Sequence, residues 1–290
     1  MSIIQTIKNT HDDQKIVSKS VYQTTCQEHT ILVITHPQCS AAISLQGAHL
    51  LYWQPKASSL PIIWLSEKTL FKKGVAVRGG VPICWPWFGK VAEPAHGFAR
   101  IVDWQLTSCS ENEDGVDITL SLKDNEKTRQ YWPHHFELEL KLHLGKTCQL
   151  ELSCQGDFNA TGALHSYFGV SDISAISVSG LGDTYEERLT TINKPKTAGE
   201  MTFNQAVDRI YTHPEPISLI KDNDHTIKIT HINHSDVVTW TPWDNAKNVV
   251  DLGEQSYHNF VCVETCRISK PIESSNKAKT SYGVKIEVIK

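Results

Sequence analysis

Two ionisable side chains lie in apolar, strand-like stretches where they could act as an acid and a base. His165 lies in ALHSYFGV, and Glu264 lies in FVCVETC, where it shares one strand face with Cys262 and Cys266. A buried carboxylate must be paired, protonated or functional, and burial raises its pKa towards that of a useful base. A histidine titrates near neutral pH and can donate a proton. Each also has a purely structural interpretation, as a hydrogen-bonded histidine in a sheet and a paired carboxylate in a core.

Residues 73–100, KGVAVRGGVPICWPWFGKVAEPAHGFAR, combine arginines with residues that stiffen the backbone. Their three prolines exclude a continuous helix, and the adjacent glycines allow bends that a side chain would forbid. We therefore predict a rigid, non-helical surface that holds Arg78, His96 and Arg100 in set positions. Arginines held in this way suit bidentate recognition of a phosphate or carboxylate. The alternative is a set of ordinary loops with surface arginines.

Other candidate side chains give weaker signals. Asp208, in AVDRIY, could orient sugar hydroxyls or a histidine, or could simply pair with the next arginine. Trp240 and Trp243 could form the apolar floor of a pocket, although core packing explains them equally well. His231 and His234 have the spacing H-x-x-H but no convincing third ligand, so no metal site is predicted. The sequence also lacks the glycine-rich nucleotide motifs and the G-x-S-x-G elbow.

Strand patterns dominate the elements that must position these groups. In FELELKLHL, residues 136–144, every second residue is apolar, which is typical of a half-buried strand. We predict an all-β sandwich or barrel that forms one domain over residues 1–290, with a hairpin turn at Gly145 and short helical pieces only near 66–72 and 254–259. Residues 124–129 are predicted to be a polar loop. Further strands are predicted near 30–35, 41–54 with an interruption at Gly47, 118–122, 150–154, 163–171, 176–180, 208–213, 226–232, 236–241, 260–266 and 281–289.

Composition excludes several classes of protein. The 28 basic and 32 acidic residues give a net charge of −4 without a basic stripe, so no nucleic-acid partner is expected. No run of about 18 apolar residues predicts a transmembrane helix, and the N-terminus does not resemble a signal peptide. The eight cysteines form no C-x-x-C pair, which indicates reduced thiols and a cytoplasmic protein. No exposed apolar helix face is evident, so we expect a monomer.

Five motifs, taken in order, carry a family resemblance. They are RGGVPICWPWFG with HGFAR, the strand histidine of ALHSYF, VDRIY, and WTPWDNAKNVVDLGEQSYHNFVCVET. Together they resemble the D-hexose-6-phosphate mutarotases, the glucose-6-phosphate 1-epimerase branch of the aldose 1-epimerase family. The resemblance runs from about residue 30 to residue 289. It implies a β-supersandwich fold and interconversion of the α and β anomers of a hexose 6-phosphate, a small-molecule partner.

The resemblance also implies roles for the two ionisable residues, with His165 as the general acid and Glu264 as the general base. These residue types suit the reaction. Ring opening removes a proton from the C1 hydroxyl and gives one to the ring oxygen, and a carboxylate and an imidazole with displaced pKa values can do both. The open aldehyde rotates, and the same pair closes the other anomer. Neither a metal nor a redox cofactor is required.

The remaining roles follow from the same resemblance. Arg78 and Arg100 match the positions that hold the phosphate, and His96 and Asp208 match positions that line the sugar site. One position departs from the family pattern, because Ala95 stands where similar proteins often carry a glutamine that contacts the substrate. The departure leaves the exact sugar specificity open.

Two other classes of protein remain compatible with these residues. A glycoside hydrolase uses two carboxylates that flank the scissile bond, and Glu264 and Asp208 could be that pair. A non-catalytic sugar-phosphate binding protein on the same scaffold would keep the arginines and need neither the acid nor the base.

Overall fold

Strands are the dominant secondary structure and helices are few and short, which confirms the all-β prediction. The computed structural model describes residues 2–10, 13–190 and 199–289. The strands within these residues are β1 (Lys15–Ser18), β2 (Val21–Cys26), β3 (His29–His36), β4 (Cys39–Ser44), β5 (His49–Pro55), β6 (Ile83–Cys84), β7 (Gln105–Glu111), β8 (Gly115–Lys123), β9 (Glu137–Gly145), β10 (Cys148–Gln155), β11 (Phe158–Leu164), β12 (Tyr167–Gly169), β13 (Ser177–Ser179), β14 (Tyr185–Glu187), β15 (Met201–Thr202), β16 (Val207–Tyr211), β17 (Ile217–Lys221), β18 (Thr226–Ile232), β19 (Asp236–Thr241), β20 (Phe260–Ser274) and β21 (Thr280–Ile289). The helices are α1 (Ile3–Asn9), α2 (Glu126–Tyr131) and the short 3₁₀ helices Ala99–Ile101, Trp243–Asn248 and Ser256–Asn259.

In the described part of the chain these strands form three antiparallel sheets. The first contains β1 to β5 in chain order. The second has nine strands in the order β15-β13-β17-β18-β21-β10-β9-β8-β7. The third has the order β14-β16-β19-β20-β11-β6, and β12 also pairs with β20. Strand β20 therefore pairs with β19, β11 and β12, so chain segments that are distant in sequence lie next to it.

The nine-stranded sheet shows how the alternating sequence becomes a core. On β9 the leucines at 138, 140, 142 and 144 are buried, while the residues between them are partly or fully exposed. Strand β10 pairs with β9 through the predicted hairpin at Gly145, where Leu144 lies opposite Cys148. The buried leucines join an apolar cluster that also contains Trp53 of the first sheet and Val263 of the third. One core thus supports all three sheets.

The strand predicted over 163–171 is interrupted at the histidine that the sequence singled out. Strand β11 ends before His165, and β12 begins at Tyr167. The backbone N–H of His165 donates to the carbonyl of Pro82 at 3.0 Å, and that of Tyr167 donates to the carbonyl of Gly80 at 3.0 Å. The strand is interrupted because these two backbone groups bind residues 73–100, here called the rigid loop, and do not bind a long neighbouring strand.

The polar loop predicted over 124–129 is wrong, because this segment forms helix α2. Asn125 caps the helix by accepting hydrogen bonds from two backbone N–H groups of the first turn, and the Thr128 hydroxyl accepts from the Asn125 backbone. This reciprocal cap satisfies donors that would otherwise lack partners. The helical prediction near 254–259 is confirmed by the 3₁₀ helix Ser256–Asn259.

The helix predicted over 66–72 is also wrong, because polar side chains there bind other segments. The Ser66 hydroxyl donates to the backbone carbonyl of Asp251 at 2.6 Å. The Thr69 hydroxyl accepts from the backbone N–H of Arg78 at 2.9 Å. Hydroxyl groups that bond backbone in this way compete with helix formation. The segment therefore supports the arginine-bearing loop instead.

The cysteines match the expectation of free thiols. All eight are free, and seven of them are buried, with Cys109 partly exposed. No helix within the described residues is long and apolar enough to cross a membrane.

Two adjacent residues of β9 test which face of this strand lies in the core and which faces solvent. Leu140→Ala should lower the free energy of unfolding by about 2–5 kcal/mol, because it leaves a cavity in the core between the sheets. Lys141→Ala is the matched control; its ammonium is exposed and lies 3.5 Å from Glu139, so its loss should change stability by no more than about 0.5 kcal/mol. Denaturant unfolding of both variants measures the difference. Equal losses would contradict the assignment.

Candidate active site

His165 and Glu264 form one buried contact at the centre of the third sheet. Glu264 lies on β20, opposite Val238 of β19, and His165 lies in the turn between the two short strands that pair with β20. The imidazole Nε2 lies 3.4 Å from the Glu264 carboxylate oxygen Oε1. The side chains are only 11% and 1% exposed, so the pair is almost free of water.

Burial displaces the pKa of His165 downwards. Loss of solvation disfavours the imidazolium and holds the pKa well below its usual value, and the neighbouring His96 lowers it further. The positive charges of Arg100 and Arg78 act in the same direction. The imidazole of the unliganded protein is therefore neutral, and its imidazolium would be a strong acid.

Burial displaces the pKa of Glu264 in the opposite direction. Loss of solvation raises the pKa well above its usual value, the charge of Asp208 raises it further, and Arg100 opposes the shift. Burial therefore favours the protonated carboxyl group and makes its carboxylate a stronger base than that of free glutamate. Opposite displacements of two touching groups are the pattern expected of an acid–base pair.

Aromatic rings enclose the histidine. The ring of Tyr167 stacks on His165 with centroids 5.0 Å apart and an interplanar angle of 10°. Trp240 meets the same imidazole edge-on at 6.1 Å, and Phe260 lies 5.3 Å from Tyr167. Of the two tryptophans noted in the sequence, Trp240 thus lines the site, whereas Trp243 packs on a different tyrosine, Tyr257. These rings limit the positions available to the imidazole.

Arg78 is held beside this group by two side chains. Its Nε donates to Asp251 Oδ1 at 3.1 Å, and its Nη1 donates to the hydroxyl of Tyr167 at 3.3 Å. The guanidinium side chain is 31% exposed. Because Tyr167 also stacks on His165, the arginine is connected to the histidine through a single residue. Arg78 is therefore a fixed positive charge at the open side of the site.

His96 lies beside the imidazole of His165, and Arg100 follows it along the chain in the 3₁₀ helix Ala99–Ile101. The His96 ring is 6.0 Å from that of His165, and its backbone has a positive φ of 63°, which is uncommon for a residue with a side chain. Burial lowers the pKa of His96 to about 4, with Arg100 adding to the shift. The Nη2 of Arg100 donates to the carbonyl of Ala95 at 2.7 Å. Ala95 therefore contributes a backbone contact to the arginine.

Asp208 completes the group that the sequence predicted. It lies on β16, opposite Trp240 of β19, and is half-buried. Burial raises its pKa, and the positive charge of Arg188 partly offsets the shift. Trp240 in turn lies opposite Cys262, which shares one face of β20 with Glu264, so the register puts both carboxyl groups on the same face of the third sheet.

Three buried polar atoms of the site have no hydrogen-bond partner among the described residues. They are Nδ1 of His165, Oε2 of Glu264 and Nε of Arg100. Buried polar atoms without partners are costly, and their concentration at a single site is a feature of ligand-binding centres. A polyhydroxylated ligand could satisfy all three.

The structure thus brings together all six residues that the sequence singled out, namely Arg78, His96, Arg100, His165, Asp208 and Glu264. Sequence reasoning missed Tyr167 and Asp251, which orient Arg78. Asp251 is 173 residues from Arg78 in the chain and lies in a stretch with no recognisable local pattern. Tyr167 follows His165 by two residues, and residues at that spacing share one face of a strand, so its stacking on the imidazole could have been found from the sequence.

The histidine pair His231 and His234 does not form a metal centre. Both ring nitrogens of His231 bind hydroxyl groups, Nδ1 at 2.7 Å from Thr265 Oγ1 and Nε2 at 3.0 Å from Ser218 Oγ. No group of three or more potential ligands for a metal ion occurs among the residues that the structure describes.

Known proteins share both the sequence and the fold. The family model for aldose 1-epimerase matches residues 30–288. A protein of Salmonella typhimurium named "Putative glucose-6-phosphate 1-epimerase" is 43% identical over 267 residues, which is 90% of each chain. A protein of Escherichia coli (strain K12) with the same name is 42% identical over 270 residues, 91% of this chain and 92% of the other.

A solved structure agrees with these matches. The crystal structure of a "putative mutarotase" from Salmonella typhimurium superimposes with a TM-score of 0.95 at 40% sequence identity, and covers 99% of both chains. The fold and the sequence therefore point to the same family.

The displaced pKa of Glu264 predicts a pH-dependent effect on stability. A carboxyl group whose pKa is raised by folding keeps a proton that the unfolded chain releases above about pH 4.3, so its burial costs more free energy as pH rises. Glu264→Gln removes this cost. The melting temperature of the variant relative to the native protein should therefore increase steadily between pH 5 and pH 8. A difference that is constant over this range would show that Glu264 is not protonated in the folded protein.

Proposed function

The chain belongs to the aldose 1-epimerase family, and on that premise we propose that it is an isomerase that interconverts the α and β anomers of a hexose 6-phosphate. The observation that carries the proposal is the buried contact between His165 and Glu264, with the fixed charge of Arg78 beside it. Glucose 6-phosphate is the substrate that the names of the related proteins indicate.

The pair performs ring opening as a concerted exchange of protons. The Glu264 carboxylate takes the proton of the C1 hydroxyl, and the His165 imidazolium gives a proton to the ring oxygen as the bond from C1 to that oxygen breaks. The aldehyde turns about the bond between C1 and C2. Glu264 then returns a proton to the aldehyde oxygen, and His165 takes one from the C5 hydroxyl as the ring closes. Protein and sugar end with the protons they began with.

The productive state of the pair differs from the resting state. The displaced pKa values place the single shared proton on Glu264 when no ligand is bound, whereas ring opening needs it on His165. Productive catalysis therefore passes through an imidazolium next to a carboxylate, which is a minor form of the same pair. Its members are a stronger acid and a stronger base than the free amino acids, which favours proton transfer at C1 and the ring oxygen.

The charged residues around the pair hold the two ends of the substrate. Arg78 and Arg100 bind the phosphate dianion. Within the described residues the contacts of Arg78 engage Nε and one hydrogen of Nη1, which leaves Nη2 to donate to the phosphate. His96 and Asp208 bind sugar hydroxyls. The phosphate is remote from C1, so binding it places C1 between acid and base without weakening the reacting bonds.

The setting of this activity belongs to the same proposal. The enzyme acts as a monomeric single domain in the cytoplasm, on a small-molecule substrate and without a nucleic-acid partner. The span of the family model, residues 30–288, supports one domain. The eight free thiols support a reducing compartment.

Replacement of the base separates catalysis from binding. Glu264→Gln should slow protein-catalysed anomer exchange of glucose 6-phosphate by about 10²–10⁴-fold, because an amide cannot take the C1 proton. The variant should still bind the sugar phosphate, since the arginines are intact. The rate is measured by NMR exchange and binding by calorimetry. Glu139→Gln, on the outward face of β9, is the matched control and should keep the native rate.

Three outcomes would count against the proposal. Near-native turnover by Glu264→Gln would remove this residue from the mechanism. A native protein that binds glucose 6-phosphate without accelerating exchange would be a binding protein on the same scaffold, and release of reducing sugar from a glycoside would indicate a hydrolase with Asp208 and Glu264 as its carboxylates.

A further inference from the structure

A continuous set of contacts joins the phosphate-binding side of the site to the acid. Asp251 fixes the Nε of Arg78, and the Nη1 of the same guanidinium donates to the hydroxyl of Tyr167. The tyrosine ring lies flat on the imidazole of His165. The backbone N–H of Tyr167 also binds the carbonyl of Gly80, two residues from Arg78. The arginine and the histidine are thus held at a set separation by both side chains and backbone.

The charge state of His165 depends on groups from every segment packed against it. These groups are Glu264 of β20, His96 of the loop before the 3₁₀ helix, Arg100 of that helix, Arg78 of the rigid loop and the uncharged Tyr167 of β12. Glu264, when it is a carboxylate, and the backbone carbonyl of His165 favour the imidazolium. In the absence of substrate the two arginines oppose the protonated form that ring opening requires.

We propose that the phosphate of the substrate activates the acid–base pair: by balancing the charge of Arg78, it moves the shared proton from Glu264 to His165. In this step the O–H bond of Glu264 breaks and an N–H bond forms at His165 Nε2, across the 3.4 Å contact between them. The proposal rests on the hexose-6-phosphate activity proposed above and on Arg78 as an anchor of the phosphate.

Arg78 is suited to this effect because it is connected to the acid of the pair. Its Nη1 donates to the hydroxyl of Tyr167, whose ring stacks on His165, and its charge opposes protonation of that imidazole. Arg100 lowers the pKa of both members, so neutralising it has opposing effects on the transfer of the proton. Neutralising Arg78 favours the imidazolium. The phosphate therefore determines which member of the pair carries the shared proton, in addition to positioning the sugar.

This arrangement predicts that phosphorylated and unphosphorylated hexoses differ in their rate of turnover as well as in their affinity. An unphosphorylated hexose can reach the pair, but it leaves Arg78 unbalanced and the proton on Glu264. A phosphate that is bound without a covalent link to the sugar should then restore part of the rate. Binding energy from a remote group would in this way contribute to the chemical step.

Phosphite dianion tests the proposal with the intact protein. Anomer exchange of glucose is measured by NMR with increasing phosphite, and the same solutions with Glu264→Gln supply the background, since phosphite itself catalyses exchange as a base. Saturating phosphite should accelerate the protein-catalysed rate about tenfold, which corresponds to one pKa unit at His165. The concentration that gives half of the effect should match the concentration that half-inhibits exchange of glucose 6-phosphate when that substrate is kept far below its KM.

Two variants and a spectroscopic signal distinguish activation from a structural effect. Arg78→Ala should abolish activation by phosphite, whereas Arg129→Ala should retain it, because that guanidinium pairs with Asp124 beside helix α2. The ring Cε1–H signal of His165, identified by its absence in His165→Gln, should move towards the imidazolium position when phosphite binds. A change in packing alone would not give the shift of a gained proton.

The outcomes separate this inference from the proposed function. At phosphite concentrations that fully inhibit exchange of glucose 6-phosphate, the rate of glucose exchange is compared with its rate without phosphite. If the two rates are equal, the inference is overturned and the mutarotase activity is left intact. Phosphite that neither inhibits nor activates would also overturn it, because Arg78 would then not belong to a phosphate site. Failure of the native protein to accelerate exchange of glucose 6-phosphate would instead overturn the proposed function.

Discussion

The exclusion of water from one contact, between His165 and Glu264, is the constraint on which the rest of the site depends. Burial moves the pKa of the imidazole down and that of the carboxyl up, and neither shift would persist in a hydrated pair. The two groups can remain buried because they can share a single proton. An all-β scaffold suits this requirement, since β20 presents Glu264 from a strand flanked on both sides by other strands.

The rigid loop is attached to this contact by backbone hydrogen bonds. Gly80 accepts from the backbone N–H of Tyr167, and its own N–H donates to the carbonyl of Trp64 at 2.6 Å. A side chain at Gly80 would place its Cβ 2.5 Å from the buried ring of His49, whose Nε2 donates to the Gly79 carbonyl at 2.8 Å. The backbone of the loop therefore has little freedom. The position of Arg78 relative to the acid is fixed by the same packing that fixes the sheets.

Much of the fold could be predicted from alternation of residue types, because a strand with one buried face has a period of two along the sequence. The leucines of β9 are a clear example, and they face the core as expected. Alternation does not predict the structure where side-chain hydrogen bonds to the backbone determine the local conformation. Asn125 and Thr128 form a reciprocal helix cap in what looked like a loop, and Ser66 bonds a distant carbonyl in what looked like a helix.

The candidate site could be predicted residue by residue but not as a set of contacts. His165 and Glu264 stood out as ionisable groups among apolar neighbours, and the family resemblance gave each of them a role. The partners of Arg78 could not be found in this way, because Asp251 and Tyr167 reach it only through the fold. The further lowering of the His165 pKa by Arg78 and Arg100 was equally inaccessible, since these arginines approach from other segments.

The most direct test of the central claim is the rate of anomer exchange of glucose 6-phosphate with the native protein, measured by saturation transfer between the α and β anomeric protons. Unphosphorylated glucose and galactose are measured in parallel. The account predicts acceleration of the phosphorylated sugar far above that of either free hexose, because only the phosphorylated sugar both binds Arg78 and is positioned between acid and base. Equal acceleration of all three sugars would contradict the role assigned to the arginines. No acceleration of any sugar would contradict the assignment of His165 and Glu264 as an acid–base pair.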